Sequence, residues 1–170
     1  MNNKRRLIFL ILLGLTVAAV AGLIFFLSSQ SMTASQKSGK MILEWILHLI
    51  KPDLNQLSPQ AYTRMINIAQ YRYRKIAHFL EFAALGLLLC WLFQALRWRC
   101  PRLLAWTATA LYAISDEWHQ SFQKTRTASW RDVGIDCAGA LAGVLICYAV
   151  TRLLIKAKAR KKASAPSPPE

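Results

Sequence analysis

The chain has 170 residues, 55% of them hydrophobic and only 18% charged, with 22 Lys and Arg against 8 Asp and Glu for a formal charge of +14. The apolar residues gather into runs too long and too uninterrupted for an ordinary soluble domain. The excess positive charge stands in clusters beside those runs, which is the pattern of a membrane collar and excludes a nucleic-acid-binding face as the default reading.

Leu7 to Leu27 carries no charged residue, and about 20 residues at 1.5 Å each cross a hydrocarbon core of roughly 30 Å. Lys4, Arg5 and Arg6 before it and Ala19-Val20-Ala21 within it have the layout of a cleavable signal peptide. The run nevertheless continues through Gly22 to Leu27, past the cut, and exceeds the about 7–15 residues of an ordinary signal core, so an uncleaved anchor is expected. A long connection follows, from Ser28 to Arg74. Within it Met41 to Ile50, MILEWILHLI, is apolar but too short to span and is closed by Lys51 and Pro52; such a segment lies in the membrane interface or against a bundle. A short helix over Pro59 to Gln70 is predicted, with Ser58 as its N-cap and Pro59 in the first turn.

Three further spans are predicted at about 76–96, 103–122 and 133–155. The expected fold is therefore all-α: an integral membrane four-helix bundle over residues 1–156, with an extracytoplasmic loop carrying short interfacial helices and an interfacial segment near 41–51. Residues 157–170, ending in SAPSPPE, are predicted to be a disordered cytoplasmic tail. Four spans put Lys4 to Arg6, the trio Arg97, Arg99 and Arg102, and the basic run from Arg152 to Lys162 on one side. The positive-inside rule makes that side the cytoplasm, with both termini there. Cys90, Cys137 and Cys147 fall within predicted helices and Cys100 in a turn, with neither metal-ligand spacing nor a pair placed for oxidation.

That topology carries polar groups from three helices to the outer leaflet: Lys75, His78 and Glu81; Asp116, Glu117, His119 and Gln120; then Arg126, Arg131, Asp132 and Asp136. Lys75, His78 and Glu81 recur every third residue and form a stripe, while Asp116 and Gln120 share a face. Asp132 and Asp136 are four apart, and Gly139 and Gly143 continue their side with the small-xxx-small spacing of close helix contacts. Lys75, Arg126 and Arg131 are the expected partners of the carboxylates. Taken singly, each charge can be a structural pair or, for Asp132, a helix cap. Together, several carboxylates and a histidine at one depth cost several kcal/mol, which a simpler bundle would avoid, so the set is read as a site.

Ser28-Ser29-Gln30 after the first span, Lys75-Ile76-Ala77-His78 opening the second, and DEWHQSFQKTRTASWRDVGIDCAGALAG from Asp116 to Gly143 together resemble the VanZ-like family of small bacterial integral membrane proteins. The resemblance places the family's motif positions on Ser29, Gln30, Lys75, His78, Asp116, Glu117, Gln120, Phe122, Arg126, Asp132, Asp136 and Gly139. Gln123-Lys124-Thr125 stands where members commonly carry Val-Pro-Gly, and Asp136 stands where many have Asn. The namesake lowers susceptibility to the lipoglycopeptide teicoplanin without rebuilding the peptidoglycan precursor, so the resemblance implies a role in the cell envelope. The phosphotransbutyrylase label given to some members has no support here, because no Gly-rich phosphate loop is present.

Three functions follow as expectations. The first is a membrane protein with an outer-leaflet charged pocket that binds or modifies a lipophilic envelope component or glycopeptide, Arg126 and Arg131 holding phosphate or carboxylate. The second is an integral membrane enzyme with His78 and Asp116 or Glu117 as acid and base, or with His78, Glu81 and the aspartates on a divalent metal. The third is a structural bundle without catalysis. Membrane lipid is the expected partner, nucleic acid is not, and no cofactor is specified.

Overall fold

In the computed structural model the described residues are 3–29, 41, 43–47, 49, 58–122 and 129–163. Among them there is no strand. Four long helices follow in order: α1 (Asn3–Ser29), α2 (Pro59–Ala95), α3 (Pro101–Ser121) and α4 (Trp130–Ala163). The expected N-cap of α2 is present, the Ser58 side chain accepting from the Ala61 amide at 3.3 Å with Pro59 opening the helix. The short helix expected over Pro59 to Gln70 does not end there. It runs without a break into the second apolar stretch, because no Gly or Pro interrupts Gln60 to Leu85. α4 likewise continues to Ala163, past the expected start of the tail at 157, while residues 164–170 fall outside the described set.

Helical residues also occur at Met41, 43–47 and Leu49, inside the segment expected at the interface. Leu43 is buried, and Tyr62 of α2 donates a 3.0 Å hydrogen bond to Glu44. The segment is thereby tied to the first turns of α2.

The connection between α2 and α3 is a tight stop. Trp98 N–H bonds Phe93 O at 3.1 Å and Arg97 N–H bonds Gln94 O at 3.0 Å, the paired bonds of a Schellman motif. The Phe93 and Trp98 rings stack at 4.5 Å, providing its accompanying apolar contact. Arg97 takes the left-handed position with φ of 62°, where Gly is the usual occupant. The chain then re-enters a helix at Pro101, in the first-turn position that tolerates Pro.

α2 packs most extensively against α4; α3 lies against both, and α1 leans on α2 and α3. Small side chains sit at several helix contacts beside the buried Phe82, Ile24 and Leu85, and many large apolar side chains face outward. Ala105, Ala113, Ala140, Cys90 and Cys147 are fully buried, while Leu12, Leu15, Phe26, Leu111 and Leu153 are among many large apolar residues facing outward. Small residues at contacts and large ones outside are what lipid selects, since hydrocarbon gives helices no hydrophobic reason to bury Leu. Gly86 lies against the Ala140 backbone, Gly139 against Phe79 and Gly143 against Ala83, so α2 and α4 meet nearly backbone to backbone.

By length and composition three helices are able to cross a membrane: α1, α2 and α4. α3 falls short of that composition because Thr107, Thr109, Tyr112, Ser115, Asp116, Glu117, His119 and Gln120 dilute its apolar residues. The four expected spans are thus three on this criterion.

The basic clusters meet at one end. Arg6 of α1 donates to Ala95 O of α2 at 3.2 Å, capping an otherwise open helix terminus. The guanidinium groups of Arg102 and Arg152 lie 4.5 and 5.7 Å from the Tyr148 ring centroid. Close by, Gln94 donates to Cys90 and Cys147 sulfurs at 3.3 and 3.2 Å and accepts from Thr151 at 3.3 Å, joining α2 to α4.

Three stability outcomes are expected. Gly143→Leu forces a side chain into the Ala83 and Leu87 backbone and should cost about 1–3 kcal/mol, read as a lower thermal midpoint in detergent. Gly14→Leu, with open space around it, should stay within about 0.5 kcal/mol. Arg97→Gly relieves the left-handed backbone and should raise stability by about 1 kcal/mol; no gain in the same measurement would count against the strained turn.

Candidate functional site

The acidic end lies opposite the basic one and is assembled from all four helices. The inner face of α1 runs through Val17, Ala21, Ile24 and Ser28, packing on Phe82, Leu85 and Ala113 until it reaches Ser28. There Ser28 Oγ donates to Asp116 Oδ2 at 2.8 Å. Gln120, one turn after Asp116 on α3, donates to the same oxygen at 2.8 Å and to Ser28 Oγ at 3.2 Å. This closed triad is buried, with Asp116 only 3% exposed. The other oxygen, Asp116 Oδ1, is buried without a hydrogen-bond partner among the described residues.

α2 and α4 bring the second group. Lys75 and Asp132 form an ion pair between these helices, and Lys75 Nζ also lies 5.1 Å from the Tyr71 ring centroid. His78 and Glu81 follow on the same stripe of α2, with Nδ1 and Oε2 3.7 Å apart. Asp136, one turn into α4 from Asp132, is 2% exposed and its Oδ1 has no partner among the described residues. Glu117 is buried and accepts the Ser129 amide at 2.6 Å, so α3 holds the first turn of α4 by its backbone. Lys75, His78, Glu117, Asp132 and Asp136 surround a void of about 10 Å³, space for about one water.

The structure therefore brings together Lys75, His78, Glu81, Asp116, Glu117, Gln120, Asp132 and Asp136. Arg131 is exposed at the start of α4 and joins none of these groups. Arg126 and Gln30 lie outside the described residues. Of the three cations expected to answer the carboxylates, Lys75 does so, through Asp132. Ser29 faces outward and bonds Phe26 O at 2.7 Å, leaving the contact with Asp116 to its neighbour Ser28. Among the described residues no three His, Cys, Asp or Glu side chains converge tightly enough to hold a metal ion.

Beside the triad a groove of about 230 Å³ opens between α1 and α3, with Asp116 in its lining among Phe25, Tyr112, Trp118, His119 and Phe122. Phe25 and His119 pack at 4.6 Å, Trp118 meets Phe122 edge-on at 5.4 Å, and the Tyr112 hydroxyl donates to Ala21 O at 2.7 Å. Phe25 and Tyr112 carry no ionisable signal at neutral pH, so attention to charged residues passes over them. The period of the α1 inner face, which ends at Ser28, was the available pointer to that residue.

Removal of one partner from the Lys75–Asp132 pair should leave the other charge half-buried and uncompensated. Lys75→Met and Asp132→Leu should each destabilise, and the double variant should recover about 1 kcal/mol relative to their sum. Additive losses in a chemical-unfolding cycle would show that the pair is not coupled.

No curated protein and no solved structure matches the chain. The family profile described as VanZ/LLP1 matches residues 9–154, which takes in α2 and α3, most of α1 and α4, and every described member of the acidic end. The chain is a membrane protein of the VanZ-like family.

Proposed function

We propose that this protein is a four-span envelope protein whose polar cluster lies at the outer leaflet and binds or modifies a lipophilic component, contributing to teicoplanin tolerance. The observation that carries the reading is the pair of buried carboxylates, Asp116 and Asp136, each with an oxygen unanswered among the described residues, the first lining a groove walled by aromatic rings and the second a small polar void. A chain built only to pack would not keep such groups in a low-dielectric interior, where each costs several kcal/mol.

The fourth span is α3. Its 21 residues reach about 30 Å, and its polar side chains Asp116, Glu117 and Gln120 are turned inward, away from lipid. Lys4 to Arg6, Arg97 to Arg102 and the end of α4 then share one side, which the positive-inside rule makes cytoplasmic together with both termini. The contacts of Arg6 with Ala95 and of Arg102 and Arg152 with Tyr148 support that common side. The acidic end accordingly faces the outside, where wall precursors and lipoglycopeptides act.

A catalytic version draws on the void that His78 shares with Glu117 and Asp136. Histidine and carboxylate there are placed for proton transfer to a ligand that reaches the void.

Expression in a susceptible Gram-positive host tests the proposal. The teicoplanin threshold should rise more than the vancomycin threshold, and Asp116→Asn should abolish the difference at equal membrane abundance. Impermeant thiol labelling of a cysteine at position 124, but not at 99, in the same cells would accompany that result, in a background lacking the native four cysteines. No shift from an abundant protein, or labelling at 99 alone, would overturn the envelope role.

A further inference from the structure

The groove between α1 and α3 opens at the outer surface of the helices and is distinct in character from the void around Asp136. Phe25, Trp118 and Phe122 are all substantially exposed along it. Its volume of about 230 Å³ lies below the roughly 300–1,000 Å³ of sites that enclose a drug-sized molecule, so it fits a headgroup. It occupies the last turns of α1 and α3, which finish at Ser29 and Ser121. Those turns are the level at which a lipid headgroup meets its chains when the two helices span.

Its one carboxylate is incompletely satisfied. Asp116 Oδ2 already accepts from Ser28 and Gln120, whereas Oδ1 is buried and has no partner among the described residues. No described cation supplies the missing charge: Lys75 is paired with Asp132, and Arg131 is exposed elsewhere. Glu117, the next residue on α3, is a second buried carboxyl nearby. An anionic headgroup would be repelled there, while a cation gains from both the carboxylate and the π systems of the rings.

We propose that this groove binds an ammonium-bearing lipid headgroup, seated against Asp116 among Phe25, Tyr112, Trp118 and Phe122. The proposal rests on the lipophilic-ligand reading above and supplies its headgroup class. The site is specific for the amine, and the acyl chains lie along the exposed faces of α1 and α3.

The test uses the full chain with Trp118 as its sole tryptophan, the other five of six replaced by Phe. It is reconstituted in bilayers of equal phosphatidylethanolamine and phosphatidylglycerol, with brominated chains on one lipid or the other. A reference chain carries its only tryptophan at Leu111→Trp, exposed on α3 but outside the groove. The ratio of quenching by amine lipid to quenching by glycerol lipid should be about threefold or more higher at Trp118 than at the reference. It should fall to the reference value in Asp116→Asn. Phe25→Leu removes a ring without touching the hydrogen-bonded triad and should lower the ratio as well, which keeps the test open if Asp116→Asn does not fold. Quenching at Trp118 that exceeds the reference equally from both lipids would overturn the amine preference while leaving lipid binding in place. Quenching no stronger than at the reference would overturn both.

Discussion

The close approach of α2 and α4 is the constraint on which the rest depends. Gly86 of α2 and Gly139 and Gly143 of α4 let the two backbones touch where any Cβ would collide. In lipid, where burial of large apolar side chains gains nothing, such contacts and the polar bonds beside them are the available source of cohesion. The contact also sets the polar geometry. With Gly139 on Phe79 and Asp132 two turns earlier, Lys75 has its ion-pair partner and Asp136 is sealed from solvent.

The carboxylates of α2, α3 and α4 gather at one end of the helices. At one end the cations Arg6, Arg102 and Arg152 find carbonyls and a tyrosine ring. At the other, Glu81, Asp116, Glu117, Asp132 and Asp136 face chiefly Lys75 and His78 among the described residues. The strongly positive total of the sequence therefore gives no guide to the sign of the site. A net charge is a sum over the whole chain, whereas the acidic residues Asp116, Glu117 and Asp136 are the ones that this fold buries.

Much of the architecture was legible because lipid imposes a simple code of long apolar runs, and the Asp132-Asp136-Gly139-Gly143 face of α4 followed from a period of three to four. The Asp116 and Gln120 pairing was legible for the same reason. Other features depend on tertiary contacts that periodicity does not encode. Ser28, not Ser29, reaches Asp116 because α1 turns its Val17–Ile24 face toward α2 and α3. The aromatic groove joins Phe25 to residues almost ninety positions away. The continuity of α2 from Pro59 was missed because its polar first half and apolar second half differ in composition, while the backbone has no reason to stop between them.

That continuity turns α2 into a rigid strut. At 1.5 Å per residue its 37 residues reach about 55 Å, against a hydrocarbon core of roughly 30 Å. Lys75 stands near the middle, so the turns from Pro59 to Arg74 project from the level of the polar cluster as a lever of about 24 Å. The Tyr62 bond to Glu44 fastens the preceding loop to the far tip of that lever. Between that bond and the register of Lys75 and His78 the helix has no break.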